Sequence, residues 1–411
     1  MTGLAPDGGL YLPERIPLIP GAFFNNIADM SIRDISYVVA DLILGDDIPS
    51  AEIKNIVMDT FTFDVPLLKL GRDRFVLELF HGPTMAFKDV GARFLARVIS
   101  HYSQASGRDV KVLVATSGDS GGAVANGFLG VKGVQVYVLY PHDGLTALQK
   151  SQFNIPGSNI RPIEVHGTFD DCQRLAKKAF ADPELRENCQ LTSANSINIC
   201  RLLPQMFYFF HAYASVMHRE GAGEGVVIAV PSGNLGNLTA GLLAMKMGLP
   251  VKRFVVANNA NSVTVDYLSD GVFNPRRAVR TIACSMDVGN PSNIDRIREI
   301  FGGDHEAMRK AMHGYTVTDE QIKAVMSTCY SARSYLLDPH GATALLALDR
   351  DLQPGEKGIF LETAHPSKFP KAVLDTTGVR FNPLPQHIAS RPPLHRISAS
   401  EDALKKILLA G

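Results

Sequence analysis

The stretch Val226-Val227-Ile228-Ala229-Val230-Pro231-Ser232-Gly233-Asn234-Leu235-Gly236-Asn237 reads as a strand running straight into a glycine-rich turn. Residues 225–230 are mostly β-branched and apolar, and residues 238–247 have the composition of a helix. A glycine-rich turn between strand and helix aims several backbone N–H groups, and the positive end of the helix dipole, at one point. Such a turn is either a phosphate cradle or a tight βα connection that needs glycines for its dihedrals. It lacks the Lys-Ser/Thr ending of a P-loop and is not G-x-G-x-x-G, which disfavours a nucleoside triphosphate or a dinucleotide.

Working outward, a second strand-like run, 110–115, leads into Thr116-Ser117-Gly118-Asp119-Ser120-Gly121-Gly122-Ala123. Hydroxyls and amides converge there at a helix start, as simple N-capping or as an anion site. A third segment, Phe80-His81-Gly82-Pro83-Thr84-Met85-Ala86-Phe87-Lys88-Asp89, sets one lysine behind a Gly-Pro turn and two aromatics, ahead of a helix expected over 90–100. A lysine after an apolar run is commonly a snorkelling or capping residue. One that must lose its proton and attack an aldehyde needs such wrapping, because a partly desolvated site lowers its pKa and fixes its direction. Lysine, phosphate cradle and hydroxyl-rich loop together point to pyridoxal 5'-phosphate.

The rest of the chain repeats the strand–helix alternation. Strands are expected over 110–115, 134–140, 226–230, 253–257 and 358–361, with helices over 169–180, 202–217 and 342–349. This is the pattern of an α/β fold with parallel sheets covered on both faces, whose ligands lie at the carboxyl ends of strands. Residues 1–71 stand apart, Pro/Gly-rich at first and then helical over 31–44 and 50–61.

Composition narrows the partners. The chain has 41 basic and 41 acidic residues, which gives no support for nucleic acid or a membrane as partner. No apolar stretch approaches the ~20 residues of a spanning helix, and the N-terminus lacks a basic segment followed by an apolar one. Five widely spaced cysteines without a CxxC pair read as reduced thiols of a cytoplasmic protein rather than a disulfide or metal framework.

In residues 3–14 (GLAPDGGLYLPE), 79–94, 115–124, 193–201 (SANSINICR), 231–241 and 362–369 (ETAHPSKF), the sequence resembles threonine synthase. It departs from that family's pattern at Leu235, where Phe is common, and at Ser120, where Thr is usual. It also begins close to GLAPDGG, where family members carry a short strand first. The resemblance implies a fold-type II pyridoxal-phosphate enzyme: two parallel-sheet α/β domains plus an N-terminal extension. The extension would span 1–71, the smaller domain 91–198, and the larger, cofactor-binding domain 72–90 with 199–411.

It also implies roles for single residues. Lys88 would be the amine that bonds the cofactor. Gly233, Asn234, Leu235, Gly236 and Asn237 would donate amides to its phosphate, and Thr363 would face the pyridine nitrogen. Asp119 would lie beside the ring hydroxyl oxygen or turn toward the substrate ammonium. Ser117, Ser120, Asn195, Ser196, Asn198 and Arg201 would bind substrate, with Arg201 gripping its phosphate in bidentate fashion. Read from the residues alone, the Asn and Ser positions are equally N-caps, and Arg201 is equally a salt-bridge partner.

The implied reaction converts O-phospho-L-homoserine and water to L-threonine and phosphate, in a monomer or homodimer. Two alternatives stay open: a phospho-lyase giving a 2-oxo acid from the same substrate, and a non-catalytic sensor of the same fold.

Overall fold

The structure is a computed structural model that describes residues 5, 9–116, 118–143, 145, 147–221, 223–382 and 395–410. By internal contacts the chain divides into two compact units: Met1–Tyr11, Lys88–Arg201 and Asn382–Gly411 form one, Leu12–Phe87 and Leu202–Phe381 the other. Each has its own sheet. Eleven strands are assigned among the described residues: β1 (Leu67–Lys69), β2 (Arg74–Glu78), β3 (Val110–Ala115), β4 (Val134–Pro141), β5 (Ile160–His166), β6 (Gln190–Ser193), β7 (Val226–Pro231), β8 (Val251–Asn258), β9 (Met312–Thr316), β10 (Lys357–Glu362) and β11 (His395–Ser398).

The first unit carries a five-stranded sheet in the order β11-β5-β4-β3-β6, with every pairing parallel. One face is covered by Leu95, Ile99, Val124 and Phe128 from helices Lys88–Ser106 and Asp119–Phe128. The other is covered by Cys172, Leu175 and Ala179 of helix Phe169–Ala181 and by Leu404 and Leu408 of the C-terminal helix. Burial on both faces explains why β3 and β4 read as continuous apolar runs.

The second unit carries a six-stranded sheet ordered β1-β2-β10-β7-β8-β9, parallel except for the β1–β2 pair. Every residue of β7 is buried. Helix Gly236–Lys246, buried along nearly all its length, packs on β8 and on helix Gln205–Glu220. Residues 12–71, set apart by composition, pack within this unit. Helix Ile32–Leu44, started by a Ser31–Asp34 capping box, lies against helix Gln205–Glu220. Phe23 and Phe61 meet Phe210 and Phe207 of that same helix.

The helix expected over 202–217 is two elements. A short turn, Ile199–Leu202, ends before Pro204, and the long helix begins at Gln205. Proline has no N–H for the ladder and clashes with the turn before it, so it restarts the helix instead of continuing it. Among the described residues no helix is long and apolar enough to cross a membrane.

Candidate active site

In the second unit the turn after β7 is held open from behind. Asn258 Nδ2 donates to the Ser232 carbonyl at 2.6 Å and Asn293 Nδ2 to the Asn234 carbonyl at 2.8 Å. Ser292 donates to Asn234 Oδ1 through its N–H (2.7 Å) and hydroxyl (3.0 Å). With the carbonyls tied back, the peptides turn their N–H edges the other way. Leu235 sits in the left-handed region at φ 61°, a conformation that costs a non-glycine residue of order 1 kcal/mol and makes an anion nest with its neighbours. Helix Gly236–Lys246 starts there, so the N–H groups of its first turn have no acceptor within the helix. Asn237 Nδ2 is buried and unsatisfied, while its Oδ1 accepts from Tyr208 Oη. At Gly233 a Cβ would stand 2.9 Å from Met286 Cα, so the chain passes too close for any side chain. These features suit a phosphate monoester: converging donors, an orphaned buried amide and no opposing carboxylate within the turn.

Another segment of this unit clamps the loop ahead of Lys88. Leu79 N–H donates to Glu362 O and Phe87 N–H to Thr363 O, both at 2.9 Å. His365 N–H donates to Met85 O at 3.0 Å, and Lys368 Nζ to Thr84 O at 2.9 Å. Met85, like Leu235, is held at positive φ (55°). FHGPTMAF and ETAHPSK are thus laced together, which assigns Lys368 a structural bond. Thr363 is buried, and its hydroxyl has no hydrogen-bond partner among the described residues. His365 Nδ1 bonds Ser367 Oγ at 2.7 Å, and burial pushes its pKa down.

Below Thr363 lies a buried acid pair. Glu362 Oε1 accepts the Asp338 N–H at 2.6 Å, and Oε2 has no partner. Burial, reinforced by the Asp338 carboxylate, holds the Glu362 carboxyl well above its usual range. Asp338 caps helix Pro339–Asp351 and bonds His340 Nδ1 at 2.5 Å. His340 Nε2 accepts the Ser285 N–H at 3.2 Å, which puts the ring proton on Nδ1.

In the first unit Lys88 opens helix Lys88–Ser106, with Asp89 buried in its first turn. Arg201 is 4% exposed, and its guanidinium donates to the Ala194 carbonyl. Burial lowers its pKa to about 10, and the Asp89 charge works in the opposite direction. Asp89 therefore serves as a buried counter-charge rather than a surface cap. Helix and arginine lie close: a Cβ on Gly91 would stand 2.6 Å from Arg201 O.

Asn198 ties its own turn, Nδ2 donating to Ser193 O (2.9 Å) and Oδ1 accepting Cys200 N–H (3.0 Å), and keeps a second N–H and a second lone pair. Asn195 and Ser196 are half-buried in the same turn. After β3, Thr116 Oγ1 accepts the N–H groups of Gly118 (2.9 Å) and Gly121 (2.8 Å) and so shapes the loop that carries Ser120, which is half-buried. Ser117 and the side chain of Asp119 lie outside the described residues.

The structure thus groups Gly233–Asn237 in one unit with Thr363, and Lys88 in the other with Asn195–Asn198, Arg201 and Ser120. Sequence reading overlooked Asn258, Ser292, Asn293 and Glu362, and left Thr116 as one hydroxyl among several. Only the buried acid directly before Thr363 left a signal, a glutamate closing an apolar strand.

Comparison with known proteins follows the same outline. Residues 60–361 match the family described as pyridoxal-phosphate dependent enzyme. Residues 1–61 match the threonine synthase N terminus, and 340–394 the threonine synthase C-terminal family. A threonine synthase of Haemophilus influenzae is 40% identical over 403 residues, covering 97% of this chain and 92% of the relative. The crystal structure of threonine synthase from Escherichia coli superposes with a TM-score of 0.90 at 39% identity, covering 99% of this chain and 95% of that one. The crystal structure of pyridoxal-phosphate-bound threonine synthase from Brucella melitensis gives a TM-score of 0.91 at 31% identity, covering 99% and 94%. With so much of its length matched and its cradle suited to the cofactor's phosphate, the chain belongs to the threonine synthase family of pyridoxal-phosphate-dependent enzymes.

Proposed function

We infer that this chain is itself a threonine synthase, converting O-phospho-L-homoserine and water into L-threonine and phosphate. The observation that carries the reading is the lacing of the lysine loop to residues 362–368. Such lacing fixes the direction from which Lys88 leaves the chain, and directed approach is what a reactive amine needs.

Pyridoxal phosphate, when bound, supplies an aldehyde for an amine and a conjugated ring that accepts the electrons left behind when a carbon loses a proton. Lys88 Nζ would hold the cofactor at rest. Phosphate would leave Cγ, which gains a proton, water would supply the Cβ hydroxyl, and Cα would recover its proton. The freed amine would be the base for substrate Cα and Cβ. A flexible four-carbon stem lets one amine reach both atoms. The N–H groups of Gly233–Asn237 would bind the cofactor phosphate. The Thr363 hydroxyl would bond the pyridine nitrogen; a neutral partner there leaves the ring less inclined to protonate than a carboxylate would.

Arg201, with Asn195, Ser196, Ser117 and Ser120, would hold the substrate's carboxylate and phosphate as the phosphate departs. Asp119 would serve the ring oxygen or the substrate ammonium. Asn198 holds the turn that presents Arg201. The five free thiols suit the cytoplasm as its compartment.

Product analysis after incubation with O-phospho-L-homoserine tests the reading. One threonine should appear for each phosphate released. A 2-oxo acid in its place would make the enzyme a phospho-lyase.

A further inference from the structure

Behind the phosphate cradle lies a buried cation with no part in the reaction just described. Arg296, on helix Ile294–Ile300, is 1% exposed and among the largest fully buried side chains. Burial lowers its pKa to about 10, so it keeps its charge at neutral pH. Nη1 donates to Asn293 Oδ1 at 2.7 Å, and Asn293 Nδ2 donates in turn to the Asn234 carbonyl at 2.8 Å. In a trans peptide the C=O and N–H point in opposite directions. The Leu235 N–H of that peptide therefore leaves on the side away from Asn293. Hydrogen bonds in series polarise one another, most of all in a low-dielectric interior. Charge at the guanidinium is thus relayed to one donor of the nest, at the residue held at φ 61°.

We propose that Arg296, acting through Asn293 and the 234–235 peptide, is a positioning residue that gives the cradle its preference for a dianionic phosphate monoester. The proposal deepens, and rests on, the reading that Gly233–Asn237 take the cofactor phosphate. The relay is assembled before any ligand arrives, so discrimination between phosphorylated and unphosphorylated ligands is built in ahead of binding.

The experiment titrates full-length protein, stripped of cofactor, with pyridoxal 5'-phosphate and separately with pyridoxal, reading both dissociation constants from absorbance. Arg296→Met should weaken pyridoxal 5'-phosphate roughly ten- to hundredfold and pyridoxal less than about threefold, as expected for losing support to a charged hydrogen bond. Arg296→Lys should recover part of the difference, since it keeps the charge without the planar fork. Asn293→Ala breaks the relay while leaving the cation in place, and should lower the same ratio. It decides the matter alone if Arg296→Met does not fold. Equal weakening of both ligands, or an unchanged ratio, overturns the proposal. A wild-type protein that binds both ligands alike overturns the cradle reading itself.

Discussion

The two units hold their polar groups in opposite ways. In the second, the loop carbonyls are fastened by side chains from remote elements: Asn258 and Asn293 on the β7 turn, Lys368 on the lysine loop. In the first, the polar residues after β3 and β6 are held by their own turns, Thr116 bonding Gly118 and Gly121 and Asn198 bonding Ser193 and Cys200. Remote fastening makes a surface that exists before its ligand arrives. Local fastening leaves fewer groups to spare, and there Arg201 couples a full charge to deep burial.

Several measurements would break or sharpen that contrast. The largest effect belongs to Lys88→Ala, which should lower turnover by at least about 10³-fold, since a proton carrier and covalent anchor is lost. Borohydride treatment of the wild type should fix the cofactor on the peptide containing Lys88, and a label on another lysine sinks the assignment. Next is Gly233→Val. Its Cβ would stand 2.9 Å from Met286 Cα, and if the second unit is preformed the loop cannot yield. Cofactor affinity should fall by about 10- to 100-fold, the equivalent of 1–3 kcal/mol of overpacking. A Gly233→Val protein that stays yellow at wild-type cofactor affinity would show the loop to be pliable.

For the first unit, Arg201→Lys should leave cofactor absorbance intact and weaken a phosphonate substrate analogue. Losing one charge-assisted bond costs about 1.5–3 kcal/mol. Equal affinities would leave Arg201 as the partner of Asp89 and nothing more. Asn198→Ala should cost only about 1 kcal/mol of stability in urea, a lost cap, with KM unchanged. A steep rise in KM would return Asn198 to the substrate.

The smallest effect is pH-dependent. The folded-state pKa of Glu362 is raised, so the stabilisation it gives by staying protonated is complete below the unfolded carboxyl value. It is progressively lost as pH rises toward the folded value. Glu362→Gln mimics the protonated form and should flatten the decline of stability from mildly acidic to alkaline pH, read by denaturant titration. A variant less stable than wild type at alkaline pH would mean that the carboxylate is ionised and required.

How much of this was legible depended on distance along the chain. The β7 turn, the lysine loop and the hydroxyl loop are contiguous, and a strand, a glycine cluster and a helix written in sequence specify one another. The fastening is not contiguous. Asn293 sits 59 residues from Asn234 and Lys368 sits 284 from Thr84, and nothing in an isolated asparagine or lysine tells where its side chain will reach. Strands with mixed signals were also unread: β5 contains Pro162, and β9, an edge strand, contains His313 and Gly314. The boundary at residue 71 followed composition, whereas the phenylalanines of the N-terminal segment find their partners on helix Gln205–Glu220.

That 284-residue reach also has a consequence in time. A chain made at about 5–20 residues per second emerges with its Lys88 loop roughly 15–60 s before the segment that laces it. β10, which pairs with β2 and β7 at the middle of the second sheet, arrives in the same late stretch. Until then the ribosome holds a polypeptide whose lysine loop has no partner and whose central strands expose open edges. Cofactor capture therefore belongs to the end of synthesis, and a chain truncated before residue 357 should engage chaperones rather than turn yellow.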